Sequence, residues 1–409
     1  MQDETCEDLP VTEEESGLSP FLKGKSPGIF GHCDPKFQGV ADIFEQNLTD
    51  RGHNGDVGAS CAVVINGEPV IDLWGGYADV ERDQVWQKDT LCCCWSVSKT
   101  AGTLLTLRMI DQGLLDLDTA VAEYWPAFAT NGKDSVLVRH LLNHTAGLSF
   151  VDAELAPGQV SDWDVMIETI EQTSLNWDAG SQLGYLNMTQ GYLLAGLCFK
   201  VNGGRRLAQF WQDEVAGPLD IDWHFAVPDD ITPRLATVYQ SDPTQFGKMI
   251  DANPDSIFAK SMKGRDPDET YNTKTWRKAE NGAGTGHTNA RAMAKLYGAL
   301  ANDGSLNGIT ILSPETLELA STETVRETCA VNTLELRFSH GFELNCPPVT
   351  PMGQGDRCFG YAGAGGSYTF ADPDIKLGFG FSHNVMHTGV GPGPCGLPLV
   401  KAVLEQAYA

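Results

Sequence analysis

Asn66-Gly67 stands between two runs of strand-forming residues, Ala59-Ser60-Cys61-Ala62-Val63-Val64-Ile65 and Val70-Ile71-Asp72-Leu73-Trp74. Both turn residues tolerate positive φ, so this stretch closes as a tight antiparallel hairpin. Near the other end of the chain, residues 367–371 and 376–382 bracket Asp372-Pro373-Asp374 and predict a second hairpin. Between them the pattern turns helical. Residues 97–112 carry Leu104, Leu105, Leu107, Met109 and Ile110 with Gly113 as a stop, which reads as a buried helix. Further helices are predicted at 162–172, 193–201, 207–215, 289–302 and 313–320, where Ser313 caps and Pro314 opens the first turn. Helices at 42–48 and 397–406 flank this region, and 225–285 reads as long polar loops. Strands at both ends around a helical middle give an α+β fold: an antiparallel sheet flanked by helices, with a mostly helical inserted domain. The expected division is an acidic arm at 1–30, a discontinuous domain of 31–115 with 285–409, and a helical domain at 116–284.

A length of 409 residues, with 42% hydrophobic and 20% charged residues, is ordinary for a globular chain of two or three domains. Lys and Arg number 28 against 54 Asp and Glu, a formal charge of −26. Such an excess repels phosphate backbones and anionic lipid, which argues against nucleic-acid and membrane partners. The first residues, Met1-Gln2-Asp3-Glu4-Thr5-Cys6-Glu7-Asp8, lack the positive start and apolar stretch of a signal peptide. No apolar run approaches the roughly 18–20 residues that span a bilayer. Eleven cysteines without repeated spacing read as free thiols in a reducing cytoplasm. The oligomeric state is not legible.

Ser96-Val97-Ser98-Lys99 lies at the start of the 97–112 helix. The S-x-x-K spacing sets a hydroxyl and an amine on one helical face. A serine becomes a nucleophile when a neighbour takes its proton, and a lysine made neutral by desolvation can do so. Ser98, adjacent to Lys99, has the wrong offset, so Ser96 is the candidate. By itself the pattern also fits a capping serine beside a solvated lysine. Downstream, Tyr185-Leu186-Asn187 can bring a phenol and an amide to the same cleft, and near a lysine ammonium the phenolate is favoured. Read alone, it is equally a packed Tyr beside a turn-forming Asn. Phe359-Gly360-Tyr361-Ala362-Gly363-Ala364-Gly365-Gly366-Ser367 precedes a predicted strand, and its small residues allow close approach of backbone to a ligand. A tight hairpin entry explains it equally well.

In this order the three elements resemble the serine β-lactamase-like superfamily, the penicillin-recognising enzymes, and most of all its esterase branch, the family VIII carboxylesterases related to class C β-lactamases. Other segments share the resemblance: Gly31-His32-Cys33-Asp34-Pro35-Lys36-Phe37, Asp89-Thr90-Leu91, Gly113-Leu114-Leu115-Asp116-Leu117-Asp118, and Val138-Arg139-His140-Leu141-Leu142-Asn143-His144-Thr145-Ala146-Gly147-Leu148. The resemblance implies a serine hydrolase that cleaves carboxylic esters through an acyl-enzyme. Ser96 would be the nucleophile, Lys99 the base, Tyr185 an aid to proton transfer, and Asn187 a substrate-positioning group. Tyr361, Gly363 and Ala364 would border the substrate, with the N–H groups of Ser96 and Ala364 forming the oxyanion hole. One departure stands out. Tyr361-Ala362-Gly363 occupies the place of Lys-Thr-Gly or His-x-Gly, and a neutral phenol cannot pair with the carboxylate of a β-lactam. Neutral small-molecule esters fit better, and Tyr361→Lys is expected to shift the balance towards β-lactams.

An acyltransferase, amidase or peptidase could use the same machinery, and a non-catalytic scaffold could keep the same fold. His140/His144 and His383/His387 share i, i+4 spacing without the Glu of H-E-x-x-H. The first pair reads as packing and the second as exposed to solvent or the cleft. Cys92-Cys93-Cys94 reads as small buried side chains leading to the nucleophile. Nothing in the sequence suggests a metal or organic cofactor.

Overall fold

The computed structural model describes residues 26–49, 55–262, 271–389 and 391–409. Its main sheet is built from β1 (Ile29–Cys33), β2 (Gly58–Ile65), β3 (Glu68–Asp79), β4 (Val325–Thr328), β5 (Glu335–Phe338), β6 (Glu343–Leu344), β7 (Phe359–Ala362), β8 (Tyr368–Asp372) and β9 (Leu377–His383). The spatial order is β1-β3-β2-β9-β8-β7-β6-β5-β4, with Gln84–Val85 as a tenth strand on β3. Every neighbouring pair is antiparallel. Both predicted hairpins are present. In the first, Asn66 and Gly67 adopt φ of 52° and 83°, as the tight turn requires. The hairpins meet where β2 pairs with β9, from Leu377 opposite Ile65 to His383 opposite Ala59. That ladder closes the sheet across the whole chain.

Of the arm read at 1–30, residues 1–25 lie outside those described, and Ile29–Cys33 is already an edge strand. The boundary therefore falls earlier than expected, because β1 satisfies its backbone on β3. The principal helices are α1 (Gln38–Thr49), α2 (Lys99–Asp111), α3 (Thr189–Val201), α4 (Ala290–Ala301) and α5 (Gly393–Tyr408). The stretch read as polar loops at 225–285 also holds short helices, Gln245–Ala252, Ile257–Ser261 and Lys274–Lys278. Ser256 and Thr273 cap the last two with their hydroxyls, a local signal that the charge-rich composition hid.

Alternation along β9 decides what covers each face of the sheet. Leu377, Phe379 and Phe381 pack into a core with Phe44 of α1 and Leu399 and Val403 of α5. Gly378 and Gly380 face α4 at close range: a Cβ on Gly378 would sit 2.0 Å from Gly298 N, and one on Gly380 2.3 Å from Ala290 O. Only glycine admits the helix backbone there. A larger core surrounds α2 and α3 and continues to Tyr297 of α4 and Phe342 beside β6. Helix α2, which begins at Lys99, is thus buried on nearly every side.

Gly378→Ala is expected to lower unfolding stability by about 1–3 kcal/mol, the usual range for overpacking, in a urea titration. Gly247→Ala, in a helix where an added Cβ meets nothing within 4 Å, should instead stabilise by up to about 1 kcal/mol.

Candidate active site

Ser96 lies in a 3₁₀ turn, Trp95–Ser98, that runs directly into α2. The turn is tighter than the α-helical start expected from the sequence, and Trp95 enters it at φ 44°. In 3₁₀ geometry residues i and i+3 eclipse each other, so Lys99 falls over Ser96, with Nζ 3.5 Å from Oγ. The turn is fixed from behind by the loop before α4. Cys94 N donates to Gly286 O at 2.9 Å, and Gly286 N donates to Ser98 Oγ at 2.9 Å. Ser98 is thereby occupied, as its offset suggested. Cys92, Cys93 and Cys94 are all buried, and the ten described cysteines form no disulfide.

Lys99 is 1% exposed. Its amine donates to Asn187 O at 2.7 Å and Ala283 O at 3.3 Å. Burial pulls its pKa down from 10.5 to about 7, against the opposing charge of Glu343. A large share of the amine is therefore unprotonated near neutral pH, facing a hydroxyl. The Lys99 amine also lies 4.9 Å from the centre of the Tyr185 ring, and the Tyr185 phenol is near enough to Ser96 for the serine to oppose part of its pKa rise. Burial, with the Glu343 charge, pushes Tyr185 well above 10. The phenolate expected beside an ammonium is not favoured, because desolvation and the Glu343 carboxylate both oppose the charged form. Tyr185 stays a phenol.

His144 stacks on Tyr185, ring centres 4.6 Å apart at 23°. Its Nδ1 accepts from Leu186 N at 3.0 Å, and burial followed by Lys99 holds it well below 6.5, hence neutral. His140 Nδ1 accepts from Leu137 N at 3.1 Å, so this pair packs loops. Asn187 presents its carbonyl to Lys99, while its amide donates to Ser261 Oγ at 2.7 Å.

The end of β7 lies against the Trp95–Ser98 turn. A Cβ on Gly363 would sit 2.5 Å from Cys94 O, which explains glycine there. Ala364 is half-buried against the cluster containing Trp95. Tyr361 departs from expectation as a substrate-facing group. It is fully buried, its hydroxyl donates to Gly341 O, and Thr103 Oγ1 lies 3.3 Å away. Its ring fills the space beside α2 instead of bordering substrate. Glu343, absent from the sequence reading, is brought to the same place by β6. It is buried, its Oε2 accepts from Ala362 N at 3.1 Å, and burial raises its pKa to about 7. The available signal was one acid between Phe342 and Leu344 in an apolar segment. The pair expected to be exposed, His383 and His387, is buried at 0% and 3%. Strand β9 runs on through His383, whose Nδ1 is 2.7 Å from Asp56 Oδ1.

A hydroxyl backed by a sealed amine and a phenol, at a turn closed by the end of a strand, is the arrangement of a serine hydrolase. The Beta-lactamase family matches residues 41–394, and the chain belongs to it. The esterase/beta-lactamase LipL of Mycobacterium tuberculosis is 30% identical over 380 residues, 87% of this chain and 83% of that protein. A penicillin-binding protein homolog from Caulobacter crescentus superposes with a TM-score of 0.83 at 31% identity, covering 92% of this chain and 99% of the other. A family VIII carboxylesterase gives 0.83 at 32% identity with the same coverage. The protein is an enzyme, a hydrolase of the esterase and β-lactamase-like kind. Among the described residues no helix is long and apolar enough to cross a membrane.

Because Glu343 raises the Lys99 pKa, Glu343→Gln should let Lys99 deprotonate at lower pH. The acidic limb of the kcat/KM profile should move down by a few tenths of a unit to about one unit, measured between pH 5 and 9 on a neutral chromogenic ester.

Proposed function

We propose that this enzyme hydrolyses neutral carboxylic esters through an acyl-enzyme on Ser96. The observation that carries the reading is Lys99: a buried amine, drawn down to about 7 and 3.5 Å from Ser96 Oγ. In the reading, Ser96 Oγ attacks the ester carbonyl as its proton passes to Lys99. The oxyanion is held by the N–H groups of Ser96 and Ala364. Tyr185, protonated and close to Ser96, conducts the proton from Lys99 to the departing alkoxide. Water then attacks the acyl-enzyme carbonyl as its proton passes to Lys99; Lys99 hands that proton to Ser96 Oγ as the carboxylic acid departs, restoring the serine hydroxyl and the neutral amine. Asn187 and Gly363 border the acyl group, Asn187 as a positioning residue.

Ester preference follows from charge. Tyr361 turns its hydroxyl to Gly341 O, so it offers no cation to a substrate carboxylate, and the chain carries −26 overall. The names of the esterase relatives support the same reading. We place the enzyme in a reducing compartment, which suits ten described cysteines none of which forms a disulfide.

Purified protein should cleave p-nitrophenyl acetate or butyrate, and Ser96→Ala should abolish turnover. Lys99→Ala and Tyr185→Phe should each cost about 10²–10⁴-fold in kcat. Retained turnover in Ser96→Ala sinks the assignment. The sealed position of Tyr361 also points against one expectation: Tyr361→Lys should replace a packed ring with a buried ammonium and lower the melting temperature, without raising nitrocefin hydrolysis relative to ester hydrolysis.

A further inference from the structure

Asp56, His383, His387 and Cys395 come from separate places in the chain and meet beneath the loop that follows β7. Asp56 lies just before β2, His383 ends β9, His387 follows it, and Cys395 is in the first turn of α5. All four are 0–3% exposed. Asp56 Oδ1 is 2.7 Å from His383 Nδ1 and 3.0 Å from His387 Nε2, and His387 Nε2 is 3.7 Å from Cys395 Sγ. One ligand atom each from Asp56, His387 and Cys395 falls within 4.8 Å of the other two. Two polar atoms remain without a hydrogen-bond partner although buried, Asp56 Oδ2 and His383 Nε2. An unsatisfied carboxylate oxygen in protein interior is costly, and such groups ordinarily have a donor, a water or an ion.

We propose that Asp56, His387 and Cys395 form a binding site for a borderline-soft divalent cation of the zinc class. One oxygen, one imidazole nitrogen and one sulfur is a donor set that favours zinc over calcium or magnesium, which take oxygen. Tetrahedral zinc at usual bond lengths sets its ligand atoms about 3.3 Å apart for O and N and about 3.6 Å for N and S. The contacts of 3.0 Å and 3.7 Å lie close to those edges. His383 holds the Asp56 carboxylate from outside the ligand set, the usual second layer of such a centre. Binding takes Cys395 as thiolate, its proton passing to solvent, and takes the Nε2 lone pair of His387 with that ring's proton on Nδ1. A water completes the fourth corner. The exposed residues Thr388 and Gly389 adjoin the site and give the ion a way in.

The position suggests a clamp. His387 N donates to Gly365 O at 3.2 Å, and Asn47 Nδ2 of α1 donates to Cys395 O at 3.0 Å. The ion would join α5 and the sheet to the glycine loop beside the nucleophile turn. No such centre was legible in sequence, since the i, i+4 histidines supply only one of the three ligands.

The test uses the full chain without a histidine tag, loaded with excess zinc, dialysed against metal-free buffer and analysed by plasma emission. Retention of about one zinc per chain is expected. Cobalt(II)-loaded protein should show a thiolate charge-transfer band in the near ultraviolet. Cys395→Ser should lose that band, Cys198→Ser should keep it, and His383→Gln should weaken zinc by about 10–100-fold. Retention of less than about a tenth of an equivalent by the wild-type chain overturns the proposal, leaving a carboxylate bridged by two imidazoles. So does a thiolate band that survives in Cys395→Ser. The wild-type stoichiometry decides the matter even if a variant fails to fold.

Discussion

The burial of the Lys99 amine is the constraint around which the catalytic half of the molecule is arranged. A lysine at 1% exposure needs acceptors for its N–H groups and no water to stabilise its charge. Two backbone carbonyls, Asn187 O and Ala283 O, supply the first requirement. Holding them in place demands that two distant loops be locked together. Asn281 does this, donating to Met188 O at 3.3 Å while its Oδ1 accepts from Ala283 N at 2.7 Å. Gly191 must be glycine beside it, since a Cβ there would meet Asn281 Oδ1 at 2.1 Å. Carbonyl dipoles, unlike carboxylates, hold the amine without fixing its proton, so desolvation alone can lower its basicity.

The sheet and the helical insert make their contributions to the site from opposite directions. Strand β7 delivers Gly363 onto Cys94 O, and β6 delivers Glu343 beneath Ala362. The insert delivers Tyr185 and its supporting His144. Neither side alone surrounds Ser96. The 3₁₀ turn at Trp95–Ser98 is where they meet, and its tight pitch brings hydroxyl and amine into register.

Features encoded over a few residues were readable before the structure was known. The Asn66-Gly67 hairpin, the Ser313 cap and the Ser96/Lys99 pair each depend on local geometry. What escaped depends on partners far away in sequence. Glu343 is one acid in an apolar run until β7 is laid beside it. Strand alternation put Tyr361 behind its strand although the motif order placed it in the cleft. The protonation of Tyr185 follows from burial and the Glu343 carboxylate, which no nearest-neighbour argument supplies. His383 and His387 resembled surface residues because Asp56, their partner, lies in another strand's approach.

The β2–β9 ladder joins segments from the two ends of the described chain, and this has a consequence for biogenesis. During translation Ser96 and Lys99 leave the ribosome long before the residues that enclose them. Until β6 and β7 arrive, α2 lacks part of its cover, and a hydrated amine keeps its proton at neutral pH. Sheet closure over so great a sequence separation is also intrinsically slow. The nascent polypeptide therefore carries Ser96 beside a hydrated, charged lysine, and the sealed pairing of hydroxyl and amine is completed only with the last steps of folding.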